Sequence, residues 1–168
     1  IRTLDRMGIA SVAVYSDADR HSRHVRLAGE AVRIGPAPAS QSYLDIDAIL
    51  AAAKSTGAEA IHPGYGFLSE NTAFAEACTA AGIAFIGPEP PHIRAFALKH
   101  TAREIAEKAG VPLAPGSGLV ATAEEALSEA RRIGFPVMLK STAGGGGIGL
   151  QLVEREADLA PTFERVQR

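Results

Sequence analysis

The chain has 168 residues, enough for one ordinary domain or two small ones. Hydrophobic residues make up 46% and the formal net charge is −2, so a core can form, and the charge gives no reason to expect nucleic acid or an anionic membrane as partner. No stretch approaches the roughly 20 apolar residues of a membrane-spanning helix. The single cysteine, Cys78, excludes an internal disulfide and fits a reducing, cytoplasmic setting. The chain opens on Ile1 with no signal-type segment, so it is expected to be cut from a longer protein.

Ile1, Leu4 and Met7 sit at helical spacing, and Gly8 follows as a stop. Ile9 to Tyr15 reads as a strand, with Val12 and Val14 at period two. Ser16 to Arg23 reads as a polar loop and Glu30 to Ile34 as a second strand. After the Gly35-Pro36-Ala37-Pro38 loop, Tyr43 to Thr56 reads as a helix with Leu44, Ala48, Ala51 and Ala52 on one face. Gly57 caps it, and Ala58 to Ile61 forms a short buried strand.

The pattern then recurs in kind. His62 to Glu70 is a glycine-rich loop, and Asn71 is a candidate N-cap for a helix to Ala81, ended by Gly82. Ile83 to Ile86 is a strand, stopped by Gly87-Pro88. Helices are expected over Pro91 to Leu98, Thr101 to Ala109 and Thr122 to Arg132, the last opened by a Thr122/Glu125 capping box. Pro136 to Lys140 and Gly149 to Val153 read as strands, and Asp158 to Val166 as a helix. Strands separated by helical runs imply βαβ units and a parallel sheet up to Gly87. A parallel unit normally begins with a strand feeding its helix, so the first strand is expected upstream of Ile1 and missing. Composition shifts near Gly116-Ser117-Gly118, where a second lobe is expected to begin.

The run Gly144 to Gly147 with Gly149 carries the clearest chemical suggestion. Successive N–H groups without Cβ atoms can fold around phosphate oxygens, and Lys140 ends the strand before them. Gly144, Gly146 and Gly149 match G-x-G-x-x-G, but that motif needs a helix directly after it, whereas Leu150-Gln151-Leu152-Val153 alternates like a strand. A Walker loop fails because no Gly-Lys-Ser/Thr follows. A β-hairpin whose glycine tip closes over phosphates fits strand, lysine and strand together. An idle flexible tip is the alternative, and it carries the entropic cost of four consecutive glycines. His21, His24, His92 and His100 lack metal-ligand spacing and are expected at the surface, His62 is expected to pack or hydrogen-bond locally, and Cys78 is expected in the core. No nucleophile–base pair and no carboxylate cluster for a metal stands out.

At His62-Pro63-Gly64-Tyr65-Gly66-Phe67-Leu68-Ser69-Glu70-Asn71 the sequence resembles the signature segment of biotin carboxylases. Ala18-Asp19-Arg20, Ile34-Gly35-Pro36-Ala37-Pro38, Ser42-Tyr43-Leu44, Phe85-Ile86-Gly87-Pro88, Ala109-Gly110-Val111-Pro112, Pro115-Gly116-Ser117 and Gly134-Phe135-Pro136-Val137 agree in order, so the resemblance covers essentially the whole chain. It implies an α/β fold. A Rossmann-like, parallel-sheet N-terminal biotin carboxylase domain (pre-ATP-grasp) over residues 1–92 would precede the start of an ATP-grasp ATP-binding domain with its lid over 93–168. It implies an ATP-dependent ligase that uses ATP and bicarbonate to carboxylate biotin. Lys99 and Lys140 would contact nucleotide phosphates, and Gly144, Gly145, Gly146, Gly147 and Gly149 would form the lid loop. Tyr65, Gly66 and Glu70 would lie near biotin and bicarbonate. The magnesium ligands, the base for bicarbonate and a key arginine would come from a C-terminal lobe. Biotin would arrive on a carrier domain and pass its carboxyl group to a carboxyltransferase domain, within a protein able to form a homo-oligomer.

Two departures refine the resemblance. Ala97-Leu98-Lys99-His100-Thr101-Ala102-Arg103 stands where acyl-CoA and pyruvate carboxylases usually carry Met-Gly-Asp-Lys. Ser141-Thr142-Ala143 precede the glycines, and Ile148 replaces the usual lid arginine. Both resemble the biotin carboxylase part of the urea carboxylase and urea amidolyase branch, with acyl-CoA or pyruvate carboxylase as the alternative. A non-catalytic nucleotide-binding module is the competing class, and the flanking coding sequence would separate the two.

Overall fold

The computed structural model describes residues 1–141 and 149–167. They fall into two units, Ile1–Ile93 and Arg94–Arg168, and Gly116 to Gly118 lies within the second.

The first unit opens with helix α1 (Arg2–Met7), closed by Gly8 at φ 68° and ψ 26°. The Gly8 amide donates to the Asp5 carbonyl at 3.1 Å and the Ile9 amide to the Leu4 carbonyl at 2.9 Å. This is a Schellman closure, in which the residue after the glycine turns its N–H back onto the helix. That amide is therefore lost to a strand, and β1 begins only at Val12 (Val12–Ser16), three residues later than expected. Helix α2 (Arg23–Leu27), absent from the sequence reading, begins at the end of the polar loop. It precedes β2 (Glu30–Gly35), which pairs in parallel with β1.

Helix α3 (Ile46–Ser55) starts three residues later than expected because Asp45 caps it, accepting from the Ala48 amide at 3.0 Å. Its buried face also differs from the expected one. Ala52 is buried as expected, but Leu44 lies outside the helix and is exposed, and Ala51 is exposed. Ile46, Ile49, Leu50 and Ala53 also face the core, at helical spacing. Helix α4 (Thr72–Ala80) has the expected cap, Asn71 accepting from the Phe74 amide at 2.9 Å. Strands β3 (Ala60–Ile61) and β4 (Ala84–Phe85) pair in parallel as a separate two-stranded sheet. The core gathers Leu50, Ala53, Leu68, Phe74, Cys78 and Ile83, with the Phe74 ring edge-on to Phe85 at 5.9 Å. Cys78 is fully buried, and burial pushes its thiol pKa up, as an inert core residue requires. Helix α5 (Pro90–Phe96) contributes the buried Ile93.

In the second unit, α6 (Lys99–Lys108) is followed by an irregular segment held from outside. Arg103 donates to the Ala114 carbonyl and Arg132 to that of Gly116, each at 2.9 Å. Helix α7 (Ala123–Ile133) carries the expected capping chemistry with one change. Thr122 Oγ1 accepts from the Glu125 amide at 3.2 Å, but Glu125 reaches past Thr122 to accept from the Ala121 amide at 2.7 Å. Strands β5 (Val137–Lys140) and β6 (Leu150–Val153) are antiparallel, with Val137 opposite Val153 and Lys140 opposite Leu150. Helix α8 (Leu159–Gln167) completes a core of Ala126, Ala130, Val137, Val153, Leu159 and Phe163. Among the described residues no helix is long and apolar enough to cross a membrane.

Two outcomes follow. Asn71→Ala should lower stability in urea denaturation by about 1 kcal/mol, the usual cost of a lost N-cap. Asp17 receives two hydrogen bonds from Arg33, each at 2.7 Å, which hold its carboxyl below the ordinary value of 3.8. A depressed carboxylate stabilises the fold above its unfolded pKa and loses that contribution as pH falls through the folded one. The melting-temperature difference between wild type and Arg33→Met should therefore be present at neutral pH and shrink below pH 3.8. A difference that holds constant into acid would contradict the pairing.

Candidate functional site

The residues singled out in the sequence fall in two places, one in each unit. In the second unit, the strand alternation of β5 sends Val137 and Leu139 inward and Met138 and Lys140 outward. Through the β5–β6 register, Leu150 and Leu152 join that outer face. Met138 and Leu152, which stand opposite one another, remain 46% and 57% exposed. The outer face is thus an apolar strip ending in the Lys140 ammonium. The sequence reading named Lys140 but missed the strip. Its signal was the same alternation, two residues before Lys140.

The hairpin closes at its neck, where the Ser141 amide donates to the Gly149 carbonyl at 3.0 Å. Gly149 has φ 75°, and a Cβ built there would lie 2.3 Å from Ser141 Oγ. Both the backbone conformation and the space require glycine at this position. Lys99 is the first residue of α6, and its Nζ donates to the Ser141 carbonyl at 3.2 Å. Lys99, 41 positions before Lys140 in sequence, is thereby brought to the residue that follows Lys140. A lysine at a helix start opposes the helix dipole, so its placement here has an electrostatic cost that an anion would relieve. Gly144, Gly145, Gly146 and Gly147, with Ile148, lie outside the described residues. The strand after the glycines, rather than a helix, removes the dinucleotide-fingerprint reading.

Beside Lys99, His100 was expected at the surface. It is half-buried instead, and its Nδ1 is buried without a hydrogen-bond partner in the structure.

In the first unit, the loop from His62 to Glu70 follows β3. His62 Nδ1 accepts from the Gly64 amide at 3.0 Å, the second of the two local roles expected of it. Gly64 and Gly66 have φ 68° and 79°, and Phe67 follows at φ 44°, the one non-glycine residue with positive φ among the described residues. A left-handed conformation costs a residue with a Cβ roughly 1–2 kcal/mol. Tyr65, between the glycines, is 97% exposed, so no described residue packs over it. Downstream, Leu68 is buried in the core and ties the loop down. Glu70 is exposed and sits just before the Asn71 cap, outside the helix.

Phe67 stacks on Tyr43 with ring centroids 5.1 Å apart and planes at 23°. The Tyr43 hydroxyl donates to Asp19 Oδ2 at 2.6 Å and accepts from the Ser16 amide at 2.9 Å. Ser16 Oγ also donates to Asp19 at 3.0 Å. The Tyr43 hydroxyl, followed by Ser16 and Ser22, holds the Asp19 carboxyl below its usual range. Burial, with the Asp19 contact second, pushes the Tyr43 phenol up. Sequence reasoning missed this network, because nothing in the spacing of Asp19, Tyr43 and Phe67 signals it. Among the described residues no group of three or more His, Cys, Asp or Glu side chains could hold a metal ion.

Comparison with known proteins bears on both units. Residues 1–93 match the model of the biotin carboxylase N-terminal domain, and residues 99–168 that of the carbamoyl-phosphate synthase L chain ATP-binding domain. Urea amidolyase of Lachancea kluyveri is 58% identical over 99% of this chain, which spans 9% of that protein. Biotin carboxylase of Nostoc sp. is 53% identical over 99% of the chain, which spans 38% of it. A crystal structure of a Campylobacter jejuni biotin carboxylase–β,γ-ATP complex superposes with TM-score 0.91 at 45% identity, covering 99% of this chain and 37% of that one. The chain belongs to the biotin carboxylase family, with an α/β N-terminal domain followed by the beginning of an ATP-grasp domain.

The Gly149 geometry makes a direct prediction. Gly149→Ala should destabilise the second unit through both the clash and the strained φ. Adding Ser141→Gly should recover only the steric part, leaving roughly 1–2 kcal/mol of backbone strain in thermal denaturation. Full recovery, or none, would contradict the geometry.

Proposed function

We propose that this member of the biotin carboxylase family is the N-terminal, nucleotide-gripping part of a biotin-dependent carboxylase, and that the whole protein is a urea carboxylase converting urea to allophanate. The observation that carries the reading is the Lys99 bond to Ser141 at the neck of the hairpin. It brings the Lys99 ammonium to the residue that follows the strand-end Lys140 and precedes the glycine run in sequence.

ATP presents a flat apolar ring and a chain of anionic phosphates. The exposed strip of Met138 and Leu152 can take the ring, and Lys140 at its end can meet the first negative charge. Lys99 adds a second cation, and backbone N–H groups of Gly144, Gly145, Gly146, Gly147 and Gly149 would close over the phosphate oxygens. Such groups stabilise charge moving between phosphate oxygens without themselves reacting. Magnesium would further neutralise that charge, but the described residues do not form a site for it, so no step is derived through it. Tyr65, Gly66 and Glu70 would face the bicarbonate and biotin side, where an exposed phenol between two left-handed glycines is free to meet a ligand. Biotin would be delivered by a carrier domain and would pass its carboxyl group on in a carboxyltransferase domain, both outside this chain.

Urea is favoured as acceptor by the Lys99-His100-Thr101 segment, the Ser141-Thr142-Ala143 lid entry and Ile148. The identity to a urea amidolyase, 58% against 53% for a biotin carboxylase, points the same way.

In the full-length protein, Lys99→Met and Lys140→Met should each weaken MgATP binding by about 10- to 100-fold in calorimetry, the equivalent of about 1.5–3 kcal/mol for a charged hydrogen bond. Unchanged affinity would remove that lysine from the site. Urea should stimulate bicarbonate-dependent ATP hydrolysis while acyl-CoA does not, and the reverse would replace the urea reading with an acyl-CoA carboxylase.

A further inference from the structure

Tyr65 presents a problem of order. Its side chain is 97% exposed, and glycines at positive φ stand on either side of it. Neither packing nor backbone stiffness holds it in one place. Leu68 fixes the chain downstream by burial. Between Leu68 and Tyr65, the Gly66 carbonyl accepts from the Ser69 amide at 2.9 Å, and the side-chain constraint is Phe67. This residue keeps a left-handed backbone that its Cβ disfavours, and it lies 60% exposed, so the core does not hold it there. What holds its ring is the Tyr43 stack at 5.1 Å.

Tyr43 is itself rigidly placed. Its hydroxyl is both donor and acceptor, to Asp19 at 2.6 Å and from the Ser16 amide at 2.9 Å. Ser16 is buried at the end of β1, so the anchor is the first sheet. A line of contacts therefore runs from the end of β1 through Asp19, Tyr43 and Phe67 to the backbone that carries Tyr65. Tyr43 precedes α3 and is absent from the apolar cluster of Leu50, Phe74 and Cys78.

We propose that Tyr43 is a positioning residue: by stacking on Phe67 it fixes the glycine-flanked backbone that presents Tyr65 and Gly66 to the ligand. The ligand's identity as biotin or bicarbonate rests on the function proposed above, but the conformational claim does not. The test uses the full-length protein with Tyr43→Leu, which removes the ring, and Tyr43→Phe, which keeps it.

Two readouts are taken, with the melting temperature measured alongside. Chymotrypsin cleavage after Tyr65, located by mass spectrometry, should rise about five- to tenfold in Tyr43→Leu, the scale of one lost aromatic pair, and stay near wild type in Tyr43→Phe. The KM for free biotin should rise by a similar factor in Tyr43→Leu while the KM for ATP stays within about twofold. Unchanged cleavage in Tyr43→Leu, or cleavage and both KM values rising together with a fall in melting temperature, would overturn the proposal. If wild type shows no ATP-dependent carboxylation of biotin, the proposed function fails and the cleavage readout alone decides the role of Tyr43. Should Tyr43→Leu not fold, Phe67→Leu removes the other ring and is read by the same cleavage and KM measurements, with the same outcomes for and against.

Discussion

The antiparallel register of β5 and β6 is the constraint on which the second unit depends. Because side chains alternate, pairing Val137 with Val153 commits one face to the α7–α8 core and the other to solvent. A one-residue slip of β5 would turn Lys140 inward and expose Val137. Burial of Val137, Val153, Leu159 and Phe163, each contributing roughly 1.5–3 kcal/mol, therefore also fixes where the lysine points. The same pairing brings Ser141 to Gly149, and Ser141 is where Lys99 arrives. Core packing and the candidate phosphate site are two faces of one register.

The first unit solves a different problem, presenting a loop rather than a strip. Its helices α1, α3 and α4 each end with a residue after the glycine donating back into the helix: Ile9 to Leu4, Ala58 to Ala53 and Ile83 to Cys78. These closures hold each helix end tightly to the strand that follows. They also leave β3 and β4 only two residues each, so the loop after β3 starts close to the sheet. From there Leu68 is buried and Tyr65 is exposed within four residues.

Much of this was legible in the sequence where the signal was local. Asn71 and Thr122 were readable as caps because their side chains act within three residues. The hairpin around the glycines was readable from alternation in Leu150 to Val153, and the family from the ten residues His62 to Asn71. Strand starts were misread because period-two patterns do not show that a Schellman closure has taken the first amide. Helix α2 was missed because Arg-His-Val-Arg-Leu has no apolar stripe; the His24 bond to the Val14 carbonyl at 3.2 Å links it to β1. The face of α3 was legible only in part, at the buried Ala52, because alanines alone do not mark a side, whereas Ile46, Ile49 and Leu50 do. The reach of Lys99 and the Asp19–Tyr43–Phe67 line were not legible, since both join residues more than 20 positions apart without any motif.

The central claim is that the outward face of the β5–β6 hairpin receives the adenine ring with its phosphates toward Lys140. Photolabelling of the full-length protein with 8-azido-ATP tests it most directly, because the reactive group sits on the ring itself. Label competed by ATP and located within residues 137–153 is the predicted result. Label equally competed by ATP but confined to peptides without either strand would contradict the account.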